Sequence, residues 1–354
     1  MKTYINAALT AGLLFAVSFQ ACKKESNRPF NSGSVYLQTN LVSDTAAFGT
    51  TIIDANLVNA WGLAFGQTGA AWISSNGKGL SVIYDQNGNT LLPPVTIPAQ
   101  GAAGTGSPTG VVSNTTSFFV IPQNQQVSRF IFSSEDGIIS AWSPGITTAF
   151  QVADRSGFNT VYKGLATGSV GANSFLYAAN FKGGSIDVFD QNFNMVTTMP
   201  FSDPAIPADF GPFNIQNIGN QLYVTYAKRL APDNKDDQRG QGNGYVNIFN
   251  LDGTFVKRFA SQGTLNSPWG IAQAPAGFGE GANAILIGNF GDGHINVFDA
   301  NGNFKEQLKD DKNQVLVIDG LWALVFSPTN VNQLFFTAGP KEETHGLFGF
   351  LMKK

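Results

Sequence analysis

Apolar and polar residues alternate along much of this chain, and the alternation recurs. Residues 79–85 (GLSVIYD), 185–190 (SIDVFD), 245–250 (YVNIFN) and 294–299 (HINVFD) are nearly superimposable. Each places apolar side chains at every second position, the pattern of a half-buried β-strand. Three are followed closely by Asn87-Gly88, Asp252-Gly253 or Asn301-Gly302. Such pairs supply the positive φ that tight hairpins need. Upstream of the strands lie second apolar strands at 71–75, 175–179 and 285–288. Further upstream are Gly-rich strands at 61–65 (WGLAF), 163–167 (KGLAT) and 269–272 (WGIA), with 321–326 (LWALVF) in the same place. Small residues there suit strands crowded around a narrow axis. No run keeps helical periodicity over three turns.

The unit is therefore a Gly-rich strand, an apolar strand, an alternating strand, a turn and an outer strand. Four antiparallel strands in roughly 45–50 residues make one propeller blade. The sequence predicts an all-β, six-bladed β-propeller over 35–354, with blades near 59–98, 108–154, 162–201, 211–260, 266–310 and 319–352. The sixth has only three good strands, so 35–42 (VYLQTNLV) is predicted to close it, leaving no free edge. A β-sandwich or a solenoid is the competing architecture. Residues 229–243 (RLAPDNKDDQRGQGN) interrupt blade four and read as an exposed polar loop.

Composition agrees with many short strands: 40 Gly and 30 Phe in 354 residues, 43% hydrophobic and 13% charged. A net charge of -3 gives no basic footprint for nucleic acid. Only His294 and His345 occur, which disfavours a multi-histidine metal site. Residues 1–21 carry an early Lys, an apolar stretch over 7–19 and small Ala21 before Cys22, the sole cysteine. This is the layout of a secretory signal. It resembles the lipobox of bacterial lipoproteins, with Phe19 where Leu is usual. Lipidation of Cys22 would tether an exported protein to the cell envelope through 22–34, a flexible polar linker. An ordinary signal with an incidental cysteine is the alternative.

Propeller loops that enter the innermost strands share a face with the turns between second and third strands. Those turns present Asn76, Glu135, Asp136, Asn180, Asn289, Asp292, Glu342, Glu343 and His345. Asn76, Glu135, Asn180 and Asn289 are candidate oxygen ligands for Ca²⁺ or another divalent cation. Asn and Asp beside Gly are also ordinary turn formers. His345 with Glu343 is a candidate base and orienter. Trp61, Trp269 and Trp322 could line a ligand-stacking mouth or pack between blades. No nucleophile elbow, Walker loop or HExxH motif occurs.

Several segments resemble an uncharacterised family of exported bacterial proteins. They include Asn59-Ala60-Trp61-Gly62-Leu63, Pro108-Thr109-Gly110, Pro212-Phe213-Asn214-Ile215-Gln216 and Asn266-Ser267-Pro268-Trp269-Gly270. Gly288-Asn289-Phe290-Gly291-Asp292-Gly293 and His345-Gly346-Leu347-Phe348-Gly349 add to them. Some members carry a PEP-CTERM tail, where this chain ends in Met352-Lys353-Lys354. The resemblance implies an NHL-like propeller and no reaction. A more distant similarity to gluconolactonase-like propellers implies an axial divalent metal held by Glu, Asn and Asp. Two functions follow as expectations. One is a binding or scaffold module taking a protein, glycan or small molecule at its axial face. The other is a metal-dependent hydrolase or lyase acting on an extracellular sugar or small molecule.

Overall fold

All four of the repeated hairpin strands form in the computed structural model, which describes residue 1 and residues 33–102, 104–279, 281 and 283–354. The signal segment beyond Met1, Cys22 and the linker up to residue 32 lie outside the described residues. The last linker residue belongs to the fold: Ser34 is buried and its hydroxyl donates to the Gly279 carbonyl.

Six sheets make up the ring, antiparallel except where the short strands Ile52–Ile53 and Lys309–Asp310 run parallel to Val35–Ser43. Blade 1 is Ala60–Phe65, Ala71–Ser75, Leu80–Tyr84 and Thr90–Thr96. Blade 2 is Pro108–Ser113, Phe130–Ser134, Ile138–Trp142 and Phe150–Asp154. Blades 3, 4 and 5 begin with Tyr162–Val170, Phe210–Ile218 and Pro268–Gln273. Blade 6 is Leu321–Phe326, Gln333–Ala338 and Leu347–Lys353, completed by Val35–Ser43 from the other end of the chain. That strand pairs antiparallel with Leu347–Lys353, from Tyr36↔Lys353 to Ser43↔Leu347. First strands of neighbouring blades pack side by side, and blade 6 meets blade 1.

The alternating strands are not half-buried as their pattern suggests. Leu80–Tyr84 and Gly244–Asn250 are buried almost throughout, because each blade is covered on both faces by its neighbours. The polar position of the repeat is therefore an inter-strand or inter-blade bonding site. Tyr162 Oη donates to Asp187 Oδ2 at 2.8 Å, Asn247 Nδ2 donates to Asp203 Oδ2 at 3.0 Å, and Asn296 Oδ1 accepts from Gln307 Nε2 at 3.1 Å. Burial of such groups is tolerated because they are paired.

The hairpin turns take the expected positive φ at Gly88, Gly253 and Gly302. In blade 3 the equivalent residue is Phe193, at φ 64°. Its ring is buried against Phe119, with centroids 5.5 Å apart, so packing offsets the backbone strain.

Small residues of the innermost strands set the diameter of the ring. A Cβ on Gly62 would lie 2.4 Å from the Thr109 carbonyl oxygen, and one on Gly270 would lie 2.6 Å from that of Trp322. Both obstacles are backbone of the next blade, which cannot turn aside as a side chain can. Gly62→Ala is expected to destabilise the protein by about 1–3 kcal/mol, measured by chemical denaturation.

Candidate functional site

One position of the repeat, just before these small residues, is filled by Trp61, Thr109, Lys163, Phe213, Trp269 and Trp322 in blades 1 to 6. The three tryptophans cluster at one mouth of the axis, where Trp322 also meets Phe290, from a blade 5 turn. Trp322 stacks on Trp61 at 3.6 Å and on Phe290 at 3.8 Å. Two rings this near one indole can lie only on its opposite faces. Trp269 packs edge-on against Trp61 and Trp322, at 6.2 and 5.8 Å. A cation caps each end of the column: Lys163 Nζ is 4.8 Å from the Trp61 ring centre and the Arg239 guanidinium 4.5 Å from that of Phe290. The tryptophans thus pack between blades, across the axis itself.

Lys163 is the only charged residue at its repeat position, and its side chain is 2% exposed. Nζ donates to Glu135 Oε1 at 2.5 Å and lies 3.5 Å from Asp236 Oδ1. A polar belt continues from there. Asn76 Nδ2 donates to Glu135 Oε2 at 3.0 Å. Asn59 Nδ2 donates to Asn76 Oδ1 at 3.2 Å and to Glu343 Oε2 at 2.7 Å. The Trp322 indole donates to Asn59 Oδ1 at 3.1 Å, tying belt to column.

Residues 229–243 cross this mouth rather than standing away from it. Asp236 reaches Lys163 of blade 3, and Gly240 N donates to Asn266 Oδ1 beside blade 5 at 2.7 Å. Arg239 pairs with Glu342 at 3.1 Å and lies 3.9 Å from Glu343, both of blade 6. Lys341, Glu342 and Glu343 take φ of 57°, 52° and 65° in succession. Three adjacent left-handed residues without glycine form a strained turn, a feature that clusters at functional sites.

Electrostatics divide the carboxylates. Burial disfavours the charge on Glu135, but the Lys163 ammonium and the Asn76 amide outweigh it, and its pKa falls. Burial likewise opposes the Lys163 charge, and Glu135 with Asp236 overturns that, so its pKa rises. Asp237 and Glu343 go the other way. Burial pushes both up despite the nearby cations, and for Glu343 the charges of Glu135 and Asp237 add to the rise. Asp237 Oδ2 is buried with no hydrogen-bond partner among the described residues.

Of the residues predicted from sequence, Asn76 and Glu135 are in contact. Asn180 is apart from them. Its Oδ1 accepts from Val161 N and Gly183 N, and its Nδ2 donates to Thr160 and Asp187. Asn289 Nδ2 donates to the Thr264 carbonyl and to Asp292, while its buried Oδ1 has no partner among the described residues. No bond links Asn180 or Asn289 to the Asn76–Glu135 pair. Among the described residues no three acidic or histidine side chains group as a metal centre. The expected His345–Glu343 pair does not form. His345 Nδ1 pairs with Asp44 Oδ2 at 2.8 Å, and Glu343 turns to Asn59. Asp44 follows the closing strand, 301 positions away along the chain, which is why local spacing suggested the wrong carboxylate.

Sequence reasoning passed over Lys163, Asn59 and Asp236 to Arg239. A signal for Lys163 was present: it is a charge where three other blades carry tryptophan. The far end of the axis is different again, a funnel of about 400 Å³ lined by Phe65, Val112, Thr167, Gln216 and Phe326.

Replacing Lys163 with Met leaves the half-buried Glu135 beside Asn76 without its cation. A loss of about 1–3 kcal/mol is expected, and Lys163→Met with Glu135→Leu should recover most of it in denaturant unfolding. Glu343 has a raised folded-state pKa, so its stabilising contribution is complete below the ordinary carboxylate range and lost as pH rises through the raised value. Glu343→Gln should therefore raise Tm over the parent at pH 7, and raise it less at pH 4.

No protein-family model matches the chain. It is 38% identical over 312 residues to the uncharacterized protein R648 of Acanthamoeba polyphaga mimivirus, covering 85% of this chain and 76% of that protein. It is equally identical over 312 residues to the uncharacterized protein L690 of the same virus, covering 81% of it. These relatives are viral, where the motifs suggested bacterial ones. Among solved structures, virginiamycin B lyase from Staphylococcus aureus superposes with a TM-score of 0.52 at 10% identity, over 90% of this chain and 99% of that one. An α-L-arabinofuranosidase mutant from Fusarium graminearum, in complex with an iminosugar inhibitor, does so at 0.57 and 11%, over 90% and 98%. At such identities the likeness is one of fold. The chain is a six-bladed β-propeller and belongs to the family of uncharacterised proteins that includes mimivirus R648 and L690.

Proposed function

We propose that this protein is an exported, lipid-anchored propeller that acts as a binding module at the cell envelope and takes a cation-bearing ligand at its axial mouth. The observation that carries the reading is an excess of carboxylate there. The five carboxylates of Glu135, Asp236, Asp237, Glu342 and Glu343 face three cations, Lys163, Lys235 and Arg239. Asp237 and Glu343 are held above their ordinary pKa values, and Asp237 keeps a buried oxygen unpartnered. An incoming ammonium or guanidinium would relieve both costs. Export and anchoring rest on the signal-like segment 1–21 and on Cys22.

Two measurements test the two halves. Labelled palmitate fed to expressing cells is expected to enter the protein and to be absent from Cys22→Ala; equal labelling of both would end the anchor proposal. Glucosamine oligosaccharides, which are cationic, are expected to bind the full chain more tightly than their neutral N-acetylated counterparts. Glu342→Gln with Glu343→Gln should weaken that preference. Equal binding of charged and neutral oligomers would count against electrostatic recognition.

A second reading is a metal-dependent hydrolase or lyase acting on an extracellular sugar or other small molecule. It draws support from the continuous run of oxygen-bearing side chains Glu343, Asn59, Asn76 and Glu135 and from His345 oriented by Asp44. Lys163 already takes one oxygen of Glu135, so Asn59, Asn76, Asp237 and Glu343 would be the donors. Calorimetric titration with calcium chloride separates the readings. The binding module gives no heat, whereas heat that disappears in Glu343→Gln would favour the enzyme.

A further inference from the structure

A second cleft, of about 500 Å³, lies between blades 3 and 4 beside the segment 197–209. That is the size of an ordinary small-molecule site. Its lining is mixed: Met195, Met199, Phe201, Ile206 and Phe210 stand among polar residues such as Ser185, Thr197 and Ser202, and all five but Phe210 are only partly buried against the core. The methionines give it an adaptable surface.

Arg229 is the cation of that lining, and among the described residues it forms no ion pair. Nη1 donates to the Lys182 carbonyl at 2.9 Å and Nη2 to the Ala208 carbonyl. Gly184 and Gly211 lie against the side chain, where a Cβ would come within 3.3 Å of Nη1 and 3.2 Å of Cδ. Those two carbonyls fix the guanidinium without neutralising it. A guanidinium carries five N–H groups. Nε is buried without a partner, so free donor capacity on Nη1 and Nη2 remains for an incoming group.

Carboxylates near the cleft are already engaged. Asp203, which also lines it, is bound by Arg258 and by Asn247 Nδ2. Asp209 is 3.7 Å from Lys228. The combination is a cleft with a cluster of apolar side chains and one fixed positive charge that forms no ion pair among the described residues. From this juxtaposition we infer that the cleft binds an amphipathic carboxylic acid, its carboxylate on Arg229 and its apolar chain against Met195, Met199 and Phe201. A planar guanidinium matches a carboxylate in both charge and geometry.

Arg229 begins the segment that crosses the axial mouth, but the other lining residues of the cleft lie outside it, and the assignment does not depend on the reading given there. The test is calorimetric titration of the full chain with sodium decanoate below its micellar concentration, with decanol as the uncharged control. Saturable one-to-one binding of decanoate is expected, with decanol about tenfold or more weaker, as fits loss of a charged hydrogen bond. Arg229→Gln should weaken decanoate by a similar factor and leave decanol unchanged. Because Arg229→Gln also removes two bonds to backbone carbonyls, Met199→Trp provides an independent check. It fills the cleft while leaving Arg229 intact, and should abolish binding of both compounds. Decanol binding as tightly as decanoate, or decanoate binding unaltered in Met199→Trp, would overturn the assignment.

Discussion

The ring depends on inner strands that approach one another too closely for a side chain at four positions. Gly62, Gly110, Gly164 and Gly270 each place a would-be Cβ within 2.7 Å of an atom in the next blade. Six inner strands can therefore close on one another, and the blades behind them stack face to face. Third strands that would have one wet face in an open sheet are dry on both sides. Their polar repeat positions, such as Asp187 and Asn247, are retained because each finds a partner.

The same closeness gathers the residues just before these glycines at one mouth. Trp61, Trp322 and Phe290 stack into a column that stoppers the channel. Lys163 is carried into that stopper, where an ammonium survives burial only with carboxylates beside it. Glu135 and Asp236 meet this need from different blades. The charge of one inner-strand residue thus links blade 2, blade 3 and the blade 4 loop. Arg239 does the same at the other end of the column, joining that loop to blade 6.

Blade architecture was legible because it repeats. Four copies of one alternating strand, three of them followed by an Asn-Gly or Asp-Gly turn, reveal a unit, and a sixth blade one strand short points to the segment that completes it. The closing strand was placed at 35–42 and forms at Val35–Ser43. The candidate site was legible only in part. Asn76 and Glu135 share a face because equivalent turns of a propeller must, and they do touch. Asn180 occupies an equivalent turn, yet its amide is consumed by local backbone and by Asp187. The pattern fixes which face a turn occupies and leaves open which way a short amide rotates.

By itself, the sequence determined the all-β class, the six-fold repeat, the turn chemistry and the closure by both ends of the chain. These follow from periodicity and from φ preferences, which are local. Only the tertiary structure decided that His345 pairs with Asp44 and not with Glu343, that Lys163 is buried with Glu135, and that 229–243 spans the mouth. Each of these joins residues from different blades, or from the two ends of the chain. Sequence spacing carries no information about such contacts, because the closing of the ring is what brings the partners together.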